Sequence, residues 1–190
     1  MGGGWNLKLD EVHHSAWQFD VFSKKECLEI IKYAKKQKSQ KAITDDNTPN
    51  IRKYTDIYWL SQTQEINWVF ERITNIVLNL NEQFFKFNIF ALNEPLQFTH
   101  YFKKGACYKK HVDRTYNRPV RKLSVSVQLT DSFAYEGCDL LLHNETTPTK
   151  CKKEIGSLTI FPSYTLHEVT ELQQGERFAL VTWVTGNSFQ

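Results

Sequence analysis

Hydrophobic positions along this chain follow two different periods. Up to about residue 83 the spacing is helical in two stretches. In the first, from about Ser23 to Lys38, Cys27, Ile30, Ile31 and Ala34 fall on one side and five lysines on the other. Ser23 with Glu26 three residues on reads as a capping box, and Phe22 as its hydrophobic staple. The second helix runs from about Gln64 to Leu80 and carries Ile66, Val69, Phe70, Ile73, Val77 and Leu80. Between them Thr44 to Asn50 is a loop by composition, followed by a short strand around Tyr54–Leu60. From Phe84 onward the period is that of strands. Short apolar runs at Phe84–Leu92, Gln97–Phe102, Leu123–Leu129, Leu140–His143, Ser157–Phe161 and Phe178–Val184 are separated by Gly, Pro, Asn and Asp. Two helices followed by many short strands predict one α+β domain over residues 1–190. Its helical part spans about 20–83, and its β core, a sandwich or open barrel, about 84–186.

Composition narrows the function classes. Hydrophobic residues at 41% with 24% charged exclude a fully disordered chain, and 14% aromatics can fill much of a small core. A net charge of +3 is too mild to announce a nucleic-acid partner. There is no apolar run of about 18 residues, so no membrane span is expected. The N-terminus carries no basic-then-apolar signal, and Asn6 stands where an N-myristoylation motif needs Ser or Thr. The expected compartment is the cytoplasm. Cys27, Cys107, Cys138 and Cys151 form no C-x-x-C pair and read as reduced thiols.

Candidate chemistry begins at His111-Val112-Asp113. On an extended segment residues i and i+2 share a face, so an imidazole and a carboxylate converge. A second histidine, His167, follows 54 residues later. Two His and one carboxylate that leave half a coordination sphere open form the facial triad of non-haem Fe(II) oxygenases. In isolation an H-x-D more often marks a solvated turn beside a strand. Arg177 shifts the balance, because it opens the apolar run Phe178–Trp183, and a buried guanidinium needs an anion. Alternation puts Arg177, Ala179, Val181 and Trp183 on one face, where the guanidinium can fork a carboxylate. The strand Leu123–Leu129 has one wholly apolar face and a second face of Ser124, Ser126 and Gln128. That pattern fits a wall between a core and a small polar ligand, or a sheet with one face in water.

With those residues in place the sequence resembles the 2-oxoglutarate- and Fe(II)-dependent dioxygenases. Within them it is most similar to the prolyl 4-hydroxylase-like branch that includes the PKHD-type hydroxylases. The likeness is carried by Tyr101 to Asp113, Tyr135-Glu-Gly-Cys-Asp-Leu140, Gly156 to Pro162, His167-Glu-Val169 and Arg177, and covers roughly Gln97 to Val184. The resemblance implies a double-stranded β-helix (jelly-roll) core with the N-terminal helices packed on one sheet. It implies His111, Asp113 and His167 as Fe(II) ligands and Arg177 as the holder of the distal carboxylate of 2-oxoglutarate. Tyr101, Leu140, Val169 and Trp183 match positions lining that pocket. Gln128 stands where some prolyl hydroxylases place a tyrosine that assists the arginine, and Cys138 where the second glycine of an E-G-G turn is common. The implied reaction consumes 2-oxoglutarate and O2, releases succinate and CO2 and hydroxylates an unactivated C–H bond; ascorbate is an expected stimulant.

For the substrate, eight Lys and Arg residues stand against Asp113 alone between 103 and 122. They suggest an electropositive mouth, or simply solvated loop charge. Arg114 in that cluster and Arg52 in the connector Lys41–Thr55 are the candidate substrate contacts. Trp183 occupies the place where nucleic-acid demethylases of the superfamily typically carry a second arginine, which argues against nucleic acid. Three classes remain: a protein or peptide hydroxylase acting at proline, a dioxygenase on a small molecule or nucleic acid, and a non-enzymatic jelly-roll binding module. The intact set of His111, Asp113, His167 and Arg177 disfavours the last.

Overall fold

Ser23 caps the first helix as its spacing predicts. Its hydroxyl accepts from the Glu26 N–H at 3.3 Å, while the Glu26 carboxylate accepts from the Ser23 N–H at 2.8 Å. The fold is that of a computed structural model, which describes residues 13–41, 51–114 and 120–188. Residues 1–12 with Asn6, the loop Thr44 to Asn50 and Arg118 therefore lie outside the described residues. In chain order the elements begin β1 (Ala16–Gln18), α1 (Lys24–Ala34), β2 (Gln40–Lys41), β3 (Arg52–Lys53), β4 (Thr55–Leu60) and α2 (Asn67–Leu80). They continue through β5 (Ile89–Ala91), β6 (Leu96–Tyr101), β7 (Cys107–His111), β8 (Val120–Gln128), β9 (Tyr135–Gly137) and β10 (Leu140–Leu142). The last are β11 (Thr149–Lys150), β12 (Leu158–Pro162), β13 (His167–Val169), β14 (Leu172–Gly175) and β15 (Arg177–Gly186).

The strands form two main antiparallel sheets. The larger runs β1-β12-β8-β15-β6-β4-β2, with β5 also on β15; the smaller runs β11-β10-β13-β7-β3. A separate ribbon pairs β14 with β9. Alternation along the central strands of the larger sheet divides it cleanly. Leu123, Val125 and Val127 of β8, Phe98 of β6 and Leu180 of β15 enter one apolar cluster with Cys27, Ile30, Phe70 and Ile73 of the two helices. A second cluster, around Tyr101, Tyr135, Leu142, Phe161 and Leu172, lies on the other side. None of the four cysteines is in a disulfide, and no helix among the described residues is long and apolar enough to cross a membrane.

Three elements differ from the sequence-based expectation. The first helix stops at Ala34 instead of Lys38, because Lys36 and Gln37 bond back to Tyr33 and Ala34 and tighten the last turn. Of the strand expected over Phe84–Leu92 only Ile89–Ala91 forms. Asn81–Phe85 instead extends α2 as a π-turn, since the Asn81 amide both donates to and accepts from the Phe87 backbone and holds the chain there. The N-terminal part, expected to be mainly helical, also contributes β1, β2 and β4 to the larger sheet and β3 to the smaller.

The cap of α1 is tied to the end of β8 through Gly156. Its N–H donates to Gln128 and its carbonyl accepts from Phe22, at 2.8 and 3.2 Å. Gly156 has φ +76°, and a Cβ there would overlap the Phe22 carbonyl. Gly156→Ala is therefore expected to destabilise the fold by about 3 kcal/mol, combining left-handed strain with backbone overlap. Gly105→Ala, also at positive φ but with only a Tyr54 ring carbon 3.9 Å away, should cost about 1 kcal/mol. Urea midpoints of the two variants check the difference.

Candidate active site

The cavity-facing side of the larger sheet is made by the same alternation that builds the core. Gln97, Thr99 and Tyr101 of β6, Ser124 and Ser126 of β8, and Arg177, Ala179, Val181 and Trp183 of β15 all line one cavity of about 490 Å³, its mouth included. The reading of Leu123–Leu129 as a wall between core and a polar space holds. The smaller sheet closes the opposite side with His111, Leu140, His167 and Val169.

At one end two strand termini meet. His111 ends β7, His167 begins β13, and the two are register partners, with ring centroids 4.1 Å apart. Each ring is aimed by its own backbone. His111 Nδ1 lies 2.7 Å from the Lys109 carbonyl and His167 Nδ1 2.9 Å from the Thr165 carbonyl. A carbonyl only accepts, so both Nδ1 atoms carry hydrogen and both Nε2 atoms are left for another partner. Those Nε2 atoms face Asp113, His111 at 3.6 Å from Oδ1 and His167 at 3.4 Å from Oδ2. Asp113 is itself fixed, its N–H donating to the Ser163 carbonyl at 3.0 Å and its Oδ2 accepting from Ser124 Oγ at 2.7 Å.

The electrostatics of this end call for a cation. Burial, then the neighbouring His167, push the His111 pKa down to about 4, so the ring is neutral near pH 7. Burial opposes ionisation of Asp113, but attraction to His167 and His111 when they are protonated, together with the hydrogen bond from Ser124, outweighs it and holds the carboxyl below its ordinary range. A neutral Nε2 lone pair pointing at a buried carboxylate is unfavourable unless a positive charge sits between them. One ligand atom from each of His111, Asp113 and His167 lies within 4.8 Å of the others, an arrangement that could hold a metal ion. The donor set, two imidazole nitrogens and one carboxylate, fits Fe(II) with open positions.

At the other end sits Arg177, only 4% exposed. Its Nε donates to Gln128 Oε1 at 3.0 Å, and the remaining neighbours that bear on its charge are the Cys138 thiol and the Tyr135 and Tyr101 phenols. Among the described residues no carboxylate pairs with it. A buried, permanently charged guanidinium without a counter-ion is a site for an anionic ligand.

The structure thus brings Tyr101, Leu140, Val169, Trp183 and Arg177 to the same cavity as His111, Asp113 and His167. Arg52 also lines it, stacked over Tyr108 at 3.8 Å and bonded to Gln97 at 3.1 Å. Gln128 does not line this cavity; it stands behind Arg177. Arg114 is exposed and away from the lining. Among the described residues no Lys or Arg of 103–122 lines the cavity itself. Arg121 forks Glu94 and lies over Trp183 at 3.8 Å, and Lys122 is buried. Two residues went unassigned in the sequence. Ser124 aims Asp113, and its signal was the polar face of β8. Tyr108, inside the matched Tyr101 to Asp113 stretch, stacks on His111 with centroids 3.5 Å apart.

Comparisons with known proteins agree with this geometry. Residues 96–185 match the family model described as the 2OG-Fe(II) oxygenase superfamily. A PKHD-type hydroxylase of Prochlorococcus marinus (strain MIT 9215) is 35% identical over 98 residues, which cover 50% of this chain and 44% of the relative. One from Parvibaculum lavamentivorans is 36% identical over 84 residues, 44% of this chain and 38% of the relative. The chain spans less than half the length of these relatives. Among solved structures, a Pseudomonas putida prolyl-4-hydroxylase superposes with a TM-score of 0.75 at 18% identity, covering 93% of this chain and 94% of that one. A Trichoplax adhaerens prolyl hydroxylase, in complex with a hypoxia inducible factor oxygen degradation domain peptide fragment, gives 0.76 at 17% identity, covering 91% and 84%. These neighbours share the jelly-roll fold of 2-oxoglutarate oxygenases. The stretch 96–185 that matches the family model carries His111, Asp113, His167 and Arg177.

Proposed function

We propose that this protein is an Fe(II)- and 2-oxoglutarate-dependent dioxygenase that hydroxylates a C–H bond in a protein or peptide, most readily at a prolyl residue, with succinate and CO2 as co-products. One observation carries the reading: a buried two-histidine, one-carboxylate cluster and a buried arginine without a counter-ion face the same cavity. The metal, when bound with 2-oxoglutarate and O2, supplies the oxidative chemistry that no side chain here can perform.

The chain's own residues do the rest. His111 and His167 present Nε2, and Asp113 presents a carboxylate oxygen, each held by a hydrogen bond to the backbone or to Ser124. Arg177 takes the distal carboxylate of 2-oxoglutarate in its fork, which leaves the keto-acid end to reach the metal. Tyr101, Leu140 and Val169 wall the cosubstrate off from water, with Trp183 completing the lining. Arg52, on Tyr108 beside His111, is placed to meet the substrate, whereas Arg114 can meet it only outside the cavity. Hydroxylation is supported by the PKHD-type hydroxylase relatives, and a peptide substrate by the peptide held in the Trichoplax neighbour.

The direct test is succinate formation from 2-oxoglutarate with Fe(II), ascorbate and air. Turnover should rise when proline-containing peptides are added and fall when ascorbate is withheld. Wild-type protein that neither binds 2-oxoglutarate anaerobically nor forms succinate with any peptide would overturn the reading.

A further inference from the structure

The tyrosine that assists the arginine in some prolyl hydroxylases is Gln128 here, and the structure shows that Gln128 has nothing left to give a ligand. Its Oε1 accepts from Arg177 Nε at 3.0 Å, and its Nε2 donates to the Thr130 carbonyl at 3.1 Å and to the Tyr135 hydroxyl at 2.9 Å. Flipping the amide would set Oε1 against the Thr130 carbonyl and Nε2 against the Arg177 N–H, so the orientation is forced. Both amide hydrogens and the acceptor are committed to protein partners. Gln128 is a brace: it occupies the Nε edge of Arg177 and leaves the two terminal nitrogens to other partners.

That brace dictates what Tyr135 does. An amide nitrogen has no lone pair to offer, so the Tyr135 oxygen accepts from Gln128, and among the described residues no acceptor takes its proton. Tyr135 is buried, 6% exposed. It lies beside the Arg177 guanidinium. It lines a small pocket that shares Ser126, Leu140 and Arg177 with the main cavity. The ribbon of β9 and β14 holds it there, with Tyr135 paired to Gly175. Lys153 lies 4.2 Å over the ring and is paired with Asp139 at 2.9 Å. Burial raises the phenol pKa, so the hydroxyl keeps its proton.

We propose that Tyr135 donates the second hydrogen bond to the distal carboxylate of 2-oxoglutarate, beside the Arg177 fork, in place of the residue at 128. This rests on the dioxygenase reading above. Tyr135 is then a cosubstrate-binding residue and Gln128 a positioning residue that acts through Arg177.

The test is calorimetric binding of 2-oxoglutarate to the anaerobic, Mn(II)-loaded protein, for wild type and Tyr135→Phe. Loss of one hydrogen bond to a charged acceptor should weaken 2-oxoglutarate about tenfold. The affinity for 2-oxobutanoate, which has the same keto-acid end and no distal carboxylate, should not change. Equal affinity of both proteins for 2-oxoglutarate overturns the assignment, and so does an equal loss for both ligands, which marks a merely structural residue. Tyr135→Met, read in the same way, covers a Tyr135→Phe protein that does not fold. If wild type itself fails to bind 2-oxoglutarate, the dioxygenase reading falls, and that outcome is distinct from a wild type that binds while Tyr135→Phe is unaffected.

Discussion

His167→Ala is expected to weaken Fe(II) binding by more than about a hundredfold. Loss of a residue that merely orients a metal ligand typically costs about 10–100-fold, and here a donor atom itself disappears. The remaining set would be His111 Nε2 and the Asp113 carboxylate, two donors two residues apart at the end of β7 with nothing to close the third side. His167 is 5% exposed and lies against Phe161, with centroids 4.9 Å apart, so no other side chain can move in without disturbing that packing. Competition with a chromophoric chelator measures the affinity. The rise in thermal midpoint that metal gives wild type should vanish in the variant. Metal affinity unchanged by His167→Ala would remove this cluster as the metal site.

Arg177→Met should produce effects of opposite sign on binding and on stability. Cosubstrate affinity should fall by on the order of a hundredfold to a thousandfold, the usual result of truncating one side of a buried charged contact. The ligand-free protein should be no less stable than wild type, within about 1 kcal/mol. Burying a guanidinium without a counter-ion is costly, and a methionine of similar length removes that cost. Against this gain stands Gln128 Oε1, which loses its donor. Chemical denaturation with and without 2-oxoglutarate separates the two effects. A variant that is severely destabilised but binds normally would mean that Arg177 serves the fold and not a ligand.

Much of this site was legible because it follows from strict alternation. Once Phe178 and Leu180 are assigned to the core, Arg177, Ala179, Val181 and Trp183 must face the other way, and they do. The same holds for Ser124 and Ser126 against Val125 and Val127. Apart from β10, the smaller sheet was not legible as strands. β3, β11 and β13 are two or three residues long and β7 is rich in lysine, so they exist only through pairing with distant partners. Distance in sequence also hid the neutralisation of Arg121, since its partner Glu94 lies 27 residues away. Tyr135 was visible only as part of a motif. Its role depends on a hydroxyl, an amide and a guanidinium that three separate elements bring together, which no local period records.

The two-faced character of β8, β15 and β6 has a consequence for how descendants of this sequence can diverge. A point replacement at Ser126 or Val181 alters only the chamber and leaves the helical side untouched, so ligand preference can drift one residue at a time. An inserted or deleted residue within β8 would exchange Ser124 with Val125 and Gln128 with Val127, sending hydroxyls into the oil and branched chains toward the reactants. Lineages of this sheet are therefore free to change its letters but not its length.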